Sequence, residues 1–395
     1  MFYLNQCGIV CALGATQGAV KENLFDLARS GVQPTERWSP GRLLALGAVS
    51  HDLTLPSVAH LRLQQRSRNN QMALAALAQI RVEVDQAIAQ FGAHRVAVVI
   101  GTSTSGIDAT EHAMRQYRKS GTLPPEFHYA QQELGSSAQM LAQELGITGP
   151  AYVHSSACSS SAKAFASAAR LISMGLCDAV VCGGVDTLCE FTVAGFSALE
   201  SVSAVQCNPL SANRNGINIG EGAALFLMSS NRSGVALCGW GESSDGYHMS
   251  APHPQGAGAR IAINQALQRA GIRPGQIDYI NLHGTATIQN DAMEARVVHD
   301  LFGAAVPVSS TKPFTGHALG AASAIEAALC WLAMQDDNPE GRLPSHLWDG
   351  VSDPALPVLN TVKAGTKLHR PLRWALSNSF AFGGSNAALV LGKLQ

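Results

Sequence analysis

Three sequence features occur in the same order in both halves of this 395-residue chain. Each half has an apolar strand that runs into a polar loop, a Ser-rich turn before an Ala-rich helix, and a Gly-rich turn before another strand. The matched pairs are Val96–Ile100 with Tyr279–Leu282, Ser155–Cys158 with Ser309–Lys312, and Gly220–Leu225 with Gly383–Leu389. A chance match between Gly- and Ala-rich segments is the alternative, but the shared order favours two similar halves packed together. We place these halves at residues 1–232 and 233–395, with the loops at matched strand ends converging on one site.

Strands and helices alternate along most of the chain. Apolar residues at helical spacing predict helices that include residues 19–28, 70–91, 131–145 and 318–334. Short apolar runs bounded by turn residues predict the strands between them. The alternation predicts an α/β layered fold with mainly parallel sheets.

Composition argues against several classes of function. The chain is 46% hydrophobic and 14% charged with a net charge of −1, so no overall charge favours nucleic acid. Nine cysteines occur without a CxxC pair or metal-ligand spacing, a pattern typical of reduced thiols in the cytoplasm. Residues 1–20 are apolar but lack a basic leader and are interrupted by glycines. We therefore expect a strand and turn there, and neither a signal peptide nor a membrane span.

Cys158 lies in a Ser- and Ala-rich segment, residues 153–172, that predicts a strand followed by a helix. The cysteine is expected at or near the helix N-terminus. The free N–H groups and positive dipole of that end lower the pKa of a thiol and can hold a developing oxyanion. A buried structural cysteine in a tightly packed helix is an equal alternative on this segment alone.

Three further segments follow predicted strands and carry polar side chains suited to chemistry. They are His283–Thr287, Ser310–His317 and Asn378–Gly384. A histidine near a nucleophilic cysteine suits acyl transfer. Each histidine alone is more often structural than catalytic, but strand ends with Gly, Ser and Thr loops are where α/β enzymes place their chemistry.

The combined pattern resembles the chain-elongating β-ketoacyl-acyl-carrier-protein synthases over nearly the whole chain. The matching motifs are Cys158, His283-Gly284-Thr285, Lys312 with Gly316-His317, Phe380-Ala381-Phe382-Gly383-Gly384, Ser243–Met249 and Asn378–Phe380. The resemblance implies the thiolase fold, with two pseudo-repeated halves in a five-layered αβαβα core. It also implies a dimer, either with itself or with a chain-length partner of the same fold.

The resemblance also implies residue roles. Cys158 takes an acyl group from a carrier-protein thioester, and His283 and His317 stabilise the enolate that forms when a malonyl thioester loses carbon dioxide. The N–H groups of Cys158 and Phe380 form the oxyanion hole, and Phe380 acts as a gate. Lys312 supports the histidine pair electrostatically. No cofactor is implied beyond the phosphopantetheine of the acyl carrier protein.

The remaining implied positions support these groups. The supporting residues are Glu326, as the partner of Lys312, with Thr285, Thr287, Asp291, Glu294, Phe382, Gly383 and Gly384. No catalytic metal is expected, but Asn281, Glu326 and Ser377 match positions that bind a structural monovalent cation in some members.

The segment Asn208–Gly216 departs from the family pattern. Only Arg214 and Gly216 keep its polar anchor and turn, so the family's salt bridge there is expected to be absent. A carrier-binding arginine of relatives also has no counterpart in this region. An acidic carrier protein still requires a basic patch. The candidates, each of which could equally be an ordinary solvated charge, are Arg62, Arg66, Arg68, Arg118 and Lys119.

The loop Phe127–Leu134 is the expected contribution to the dimer interface and to one end of the acyl pocket. The alternative is that its aromatic residues pack inside their own subunit.

Other functions remain for comparison. A thiolase would carry a second cysteine near the C-terminus, but no cysteine follows Cys330. Chain-initiating synthases have an asparagine where this chain has His317. A non-catalytic chain-length partner typically lacks the nucleophile that Cys158 supplies, and nothing demands a cysteine hydrolase. Fatty acid, polyketide and aryl-polyene pathways are all open, and the unusual 200–216 segment favours a specialised one.

Overall fold

A computed structural model describes residues 1–26 and 30–394, which form thirteen strands and eleven α-helices. The strands are β1 (Phe2–Cys11), β2 (Gln33–Thr35), β3 (Leu44–Leu46), β4 (Val96–Gly101), β5 (Ala151–His154), β6 (Ala179–Asp186), β7 (Gly222–Ser229), β8 (Val235–Ser244), β9 (Tyr279–Asn281), β10 (Pro307–Ser309), β11 (Asn360–Thr361), β12 (Trp374–Ala381) and β13 (Ser385–Lys393). The helices are α1 (Gln17–Leu24), α2 (Arg68–Ala78), α3 (Arg81–Phe91), α4 (Ile107–Ser120), α5 (Ser136–Leu145), α6 (Ser160–Ser173), α7 (Glu190–Ala198), α8 (Ala257–Ala270), α9 (Ile288–Phe302), α10 (Lys312–Thr315) and α11 (Ala322–Ala333).

The strand order repeats between the two halves. The first half has the order β5-β4-β6-β7-β1, and the second has β10-β9-β12-β13-β8 with β11 added at its edge. We leave aside β2, β3 and β11 and number the remaining five strands of each half in the order of the chain. Their order across the sheet is then third, second, fourth, fifth, first in both halves. The halves join where β1 pairs with β8. The repeat predicted from the sequence is therefore present in the topology.

The prediction of mainly parallel sheets is wrong. Parallel pairing links β4 with β5 and β6 in the first half, and β9 with β10 and β12 in the second. The last strand of each half runs antiparallel to both neighbours. In the second half the reason is local, because a turn of three residues, Phe382–Gly384, connects β12 directly to β13 and so short a connection permits only an antiparallel pair.

The fold has five layers, because helices cover the apolar faces of the sheet strands in both halves. Helices α6 and α11 lie in the central core with residues from the strands of both halves. Helices α2 and α5 cover the outer face of the first half, and α8 and α9 cover that of the second. All twelve residues of α11 are buried, as expected for a helix with a sheet on each side. Its small side chains allow close approach to α6, where the N–H group of Ala324 donates to Ser161 Oγ at 2.9 Å.

Several predicted helix boundaries are wrong. The single helix predicted over 70–91 is divided into α2 and α3. The break lies at Gln79, because its side chain bonds to the backbone N–H and C=O of Ile9 on β1. The helix predicted from residue 131 begins at Ser136, since the Gln131 side chain is bonded to the carbonyl groups of neighbouring loops.

Other differences are smaller. The helix predicted over 318–334 opens with a 3-10 turn before α11. The predicted first helix ends at Leu24, and residues 27 and 28 of that prediction lie outside the described residues. Within the described part of the chain, no helix combines the length and apolar character needed to cross a membrane.

Candidate active site

Cys158 lies in a tight turn between β5 and α6, as predicted. Ala157 has a φ of +49°, a left-handed conformation that turns the chain sharply just before the cysteine. Ser160 Oγ fixes this turn, since it accepts from the N–H group of Ser156 at 2.9 Å and donates to the carbonyl of Ala157 at 2.6 Å. From the second half, Ser323 Oγ donates to the carbonyl of Cys158 at 3.1 Å. The sulfur therefore sits at the N-terminal end of α6, held by contacts from both halves.

Two histidines from the second half meet this sulfur. His317 Nε2 lies 3.0 Å from Cys158 Sγ. The rings of His283 and His317 have centroids 5.4 Å apart and are nearly perpendicular. The sulfur and one nitrogen of each ring all lie within 4.8 Å of one another, and all three residues are buried. His283 and His317, which follow Cys158 by 125 and 159 positions in the sequence, thus form one compact cluster with it. This agrees with the prediction that loops from both halves converge on one site.

Burial dominates the protonation of this cluster. It lowers the pKa of His283 and His317 well below the ordinary value, and the nearby Lys312 ammonium lowers both further. Both imidazoles are therefore neutral at physiological pH. Burial raises the pKa of the Cys158 thiol to about 11, although Lys312 and two backbone N–H groups act in the opposite direction.

The expectation that the helix end lowers the thiol pKa is therefore wrong for this closed site, because desolvation outweighs the favourable dipole. The adjacent His317 nitrogen is placed to accept the proton of the Cys158 thiol directly.

Lys312 is paired with Glu326, as predicted. Its Nζ lies 2.5 Å from Glu326 Oε1, and the two side chains are each 2% exposed. The other carboxylate oxygen of Glu326 is buried without a hydrogen-bond partner among the described residues. Burial raises the pKa of Glu326, while Lys312 opposes that shift. The pair fixes a positive charge behind both histidines.

The second N–H group at the sulfur belongs to Phe382 and not to Phe380. The backbone N–H groups of Phe382 and Cys158 both act on the Cys158 thiol. The predicted N–H of Phe380 instead lies within β12, opposite Asn386 of β13. Gly383 and Gly384 follow with φ of +80° and +73°, and these left-handed conformations favour glycine. The two N–H groups that act on the sulfur thus come from Cys158 itself and from the turn that follows β12.

Aromatic rings line the approach to the site. The ring of Phe380 is 6.0 Å from that of His283, and the ring of Phe382 is 5.7 Å from that of Phe196 on α7. Thr285 and Thr287 line the same cleft, with their hydroxyl groups 3.0 Å apart. Helix α7, which the sequence analysis did not predict, therefore supplies one wall of the cleft.

Two buried acids position the histidine loop. Glu294 accepts from the N–H groups of His283 and Gly284 at 2.8 and 2.7 Å. Burial raises the pKa of Glu294 to about 7 despite these bonds. Asp291 accepts from the N–H group of Leu210 at 2.8 Å and so ties the 200–216 segment to the same loop. Both predicted acidic positions contact backbone, and neither lines the cleft.

Asp186 is a positioning residue that the sequence analysis missed. Its carboxylate accepts from the N–H groups of Ser103 and Thr104 in the first half and from Gly320 in the second. Because Gly320 follows His317 by three residues, this carboxylate anchors the loop that presents the histidine. Its place at the end of the apolar strand β6 was the available signal.

Arginine contacts differ from the predictions at two positions. Arg68, a predicted carrier-binding residue, pairs with the fully buried Glu221, with Nη2 2.6 Å from Oε1. The predicted absence of a salt bridge at Arg214 is wrong, because Arg214 Nη1 lies 2.5 Å from Asp353 Oδ2. This aspartate lies 139 positions away and replaces the local acids that the family pattern has.

The other four predicted carrier-binding residues are exposed. They are Arg62, Arg66, Arg118 and Lys119. Arg66 donates to the carbonyl groups of Leu61 and Ala59, which fixes its guanidinium group on its own loop.

The predicted cation positions carry unpaired oxygen atoms. Asn281 Oδ1, Ser377 Oγ and the second oxygen of Glu326 are all buried without hydrogen-bond partners in the described structure. Asn281 and Ser377 lie directly opposite each other on β9 and β12. Carbonyl, hydroxyl and carboxylate oxygens are the ligands that hard cations prefer. The residues present therefore fit a structural cation.

The loop Phe127–Leu134 is only partly buried. Tyr129 is 65% exposed and Leu134 is 40% exposed, whereas Phe127 is half-buried. Its base is fixed by Gln131, which bonds to Leu63 and Arg66. The Tyr129 ring therefore does not pack inside this subunit.

Comparison with known proteins identifies the family. Residues 48–233 match the β-ketoacyl synthase N-terminal domain, and residues 235–340 match the β-ketoacyl synthase C-terminal domain. The chain therefore belongs to the β-ketoacyl synthase family, a class of condensing acyltransferases.

Individual relatives agree with this assignment. The chain is 29% identical over 350 residues to 3-oxoacyl-[acyl-carrier-protein] synthase 2 of Staphylococcus aureus, covering 84% of this chain and 83% of the relative. It is 33% identical over 308 residues to nodulation protein E of Rhizobium meliloti, covering 75% of each. One chain of the solved complex of a ketosynthase with its chain length factor, from Xenorhabdus doucetiae, superposes with a TM-score of 0.93. That match has 45% identity and covers 100% of this chain and 98% of the other.

Proposed function

We propose that this protein catalyses the decarboxylative condensation of malonyl-carrier with an acyl group held as a thioester on Cys158. The observation that carries the proposal is the contact between Cys158 Sγ and His317 Nε2 at 3.0 Å, with His283 beside it. A thiol, a proton acceptor and a second neutral imidazole in one buried cluster suit acyl transfer followed by enolate chemistry.

In the loading step, Cys158 Sγ attacks the carbonyl carbon of the incoming acyl thioester while its proton passes to His317 Nε2. The negative charge on the carbonyl oxygen is held by the N–H groups of Cys158 and Phe382. The carbon–sulfur bond to the carrier then breaks, and the carrier thiolate leaves with the proton from His317.

In the condensation step, the malonyl thioester carbonyl accepts hydrogen bonds from His283 and His317. Their lowered pKa values keep both imidazoles neutral and able to donate an N–H group. His317 accepts the thiol proton in loading as the tautomer protonated on Nδ1, and donates in condensation as the tautomer protonated on Nε2. The malonyl carboxylate leaves as carbon dioxide, and its bonding electrons form the enolate. The enolate carbon attacks the acyl carbon on Cys158, the cysteine thiolate leaves, and one proton is taken up to restore the thiol.

The acyl groups arrive on the phosphopantetheine of an acyl carrier protein, and the chemistry requires no other cofactor. A monovalent cation would be held by Asn281, Glu326 and Ser377, whose free oxygens support this assignment. Such a cation would balance the negative charge on the second carboxylate oxygen of Glu326 and so stabilise the position of the Lys312–Glu326 pair. Replacing potassium by choline in the buffer should then lower the thermal unfolding midpoint. An unchanged midpoint would remove the cation from the account.

We further propose a dimer with a chain-length partner of the same fold. The support is the similarity, at 45% identity, to one chain of a solved complex of a ketosynthase with its chain length factor. The exposed Tyr129 and Leu134 are suitable contributions to that interface. A homodimer is the alternative. Purification alone and beside a genomic neighbour of the same fold, followed by mass measurement in solution, separates the two states.

The pathway that fits best is specialised chain building of the polyketide or aryl-polyene kind, in the cytoplasm. The support is the altered 200–216 segment and the nine free cysteines, none of which forms a disulfide in the described structure. Ordinary fatty acid elongation is the comparison to test. The assay is the rate of Cys158 acylation by saturated and by polyunsaturated acyl-carrier thioesters.

A chain-length partner without catalysis is the second candidate function. The intact cluster of Cys158, His283 and His317 argues against it. His283→Ala should still accept an acyl group on Cys158 while it decarboxylates malonyl-carrier slowly, whereas His317→Ala, which also loses the acceptor of the thiol proton, should be slow in both steps. A His283→Ala variant that decarboxylates but cannot load would reverse the assigned roles.

A further inference from the structure

Three segments border the opening of the active-site cleft: residues 199–205, 247–252 and 285–289. Each contributes a side chain to the cleft wall that also contains Cys158, through Ser201, Ser250 and Thr287. A substrate that reaches the sulfur must pass these segments. Their outward-facing residues therefore decide what can cover the opening.

Large apolar side chains stand exposed on all three segments. This apolar rim consists of Leu199 (56% exposed), Val205 (63%), Tyr247 (55%), Met249 (77%) and Ile288 (66%). Single exposed apolar residues are ordinary on protein surfaces, but a group of them around one opening marks an interaction site. Met249 precedes Ser250 and Ile288 follows Thr287, so the apolar rim begins where the cleft wall ends.

The same segments carry almost no charge. Glu200 is their one acidic residue, it is exposed, and they contain no lysine or arginine. An acidic partner would therefore gain no attraction to lysine or arginine from these three segments. Of the basic residues predicted to attract such a partner, Arg68 is already paired with Glu221 inside the fold.

The apolar rim is also connected by a backbone hydrogen bond to the turn beside the Cys158 sulfur. The carbonyl of Met249 accepts from the N–H group of Gly383 at 2.7 Å, directly after Phe382, whose own N–H acts on the Cys158 sulfur. Tyr247 is held by an edge contact with His253, with ring centroids 5.2 Å apart. The apolar side chains are thus presented from a backbone that is fixed to the oxyanion turn.

We propose that the apolar rim is the docking surface for the acyl carrier protein, and that docking depends on apolar contact more than on charge. The proposal rests on the proposed function, which requires a thioester on a flexible arm that stays attached to the carrier. While the thioester is at Cys158, the body of the carrier covers the opening and buries the rim. The matching face of the carrier, around the attachment point of its arm, is accordingly apolar.

The test compares acylation of Cys158 by an acyl-carrier thioester and by the same acyl group on free pantetheine. Met249→Ser/Ile288→Ser removes the two most exposed rim side chains. Met174→Ser is the matched control, because Met174 is 68% exposed at the opposite end of α6 from Cys158.

The double variant should raise KM for the acyl-carrier about tenfold or more, which is typical of removing central interface contacts. Its rate with acyl-pantetheine should be unchanged, as should both rates in the control. In the unmodified protein, KM for the acyl-carrier should change little when salt is raised, because screening weakens charge pairs and not apolar contact.

An unchanged KM in the double variant would overturn the proposal. So would a KM in the unmodified protein that rises steeply with salt, together with a larger effect of Arg62→Ala/Arg66→Ala, which would place docking on charge. Loss of acyl-pantetheine reactivity in the double variant would also overturn it, by showing that the rim shapes the cleft instead of binding the carrier. If the unmodified protein is acylated by neither substrate, the proposed function itself fails.

Discussion

The ion pair between Lys312 and Glu326 should behave as one unit, so that losing either partner destabilises the protein and losing both destabilises it much less. The side chains are each 2% exposed, and a lone charge left there would have to be neutralised. In Glu326→Gln, deprotonating a lysine of ordinary pKa about 10.4 at pH 7 costs about 4.6 kcal/mol. In Lys312→Met, protonating a carboxyl of ordinary pKa about 4.3 costs about 3.7 kcal/mol.

The assay is urea unfolding of both single variants and of Lys312→Met/Glu326→Leu over a range of pH. Each single variant should lose about 3–5 kcal/mol of unfolding free energy at neutral pH, and the apolar double variant much less. The carboxyl left in Lys312→Met has a raised pKa in the folded state, so its penalty should shrink as pH falls. The lysine left in Glu326→Gln has a lowered pKa in the folded state, so its penalty should shrink as pH rises.

The double variant should nevertheless be poorly active. Lys312 helps to lower the pKa of His283, His317 and Cys158, and an apolar replacement removes that field. Restored stability without restored condensation would show that the charge acts on the site. Single variants as stable as the unmodified protein, within about 1 kcal/mol, would refute the reasoning about the buried pair.

Three further outcomes follow from the geometry. Because burial keeps His283 and His317 neutral, malonyl decarboxylation should keep its rate when pH falls from about 7.5 to about 6, across the ordinary imidazole pKa; loss of most of the rate in a pH-rate profile would show that they titrate there. Zinc should inhibit the free enzyme by binding the three ligand atoms that lie within 4.8 Å of one another, and acylation of Cys158 before the addition should protect; equal inhibition of acylated and free enzyme would place the metal elsewhere. Arg214→Met should lower the unfolding free energy by about 2 kcal/mol through loss of its bond to Asp353, whereas an unchanged urea midpoint would mean that the pair contributes nothing.

The sequence predicts the reacting groups better than their surroundings. Cys158, His283 and His317 lie in loops after predicted strands of the two similar halves, and the fold brings these strand ends together. The second backbone N–H at the Cys158 sulfur belongs to Phe382, two residues beyond the predicted Phe380, because the turn geometry after β12 depends on two left-handed glycines.

Contacts between distant segments could not be predicted. Arg68 and Glu221 are 153 positions apart, and Arg214 and Asp353 are 139 apart, so neither pair has a periodic or local signal. The break between α2 and α3 has the same origin, since it depends on the contact of Gln79 with β1. Burial, which reverses the expected shift of the Cys158 pKa, is likewise a property of the assembled layers.

The measurement that tests the central claim most directly is the intact mass of the protein after exposure to acyl-carrier thioesters and then to malonyl-carrier. We predict a mass gain of one acyl group located on Cys158, absent in a folded Cys158→Ala variant, and lost again on adding malonyl-carrier with release of carbon dioxide and a 3-oxoacyl-carrier product. Condensation at the full rate by Cys158→Ala, without any acyl adduct on the unmodified protein, would contradict the account.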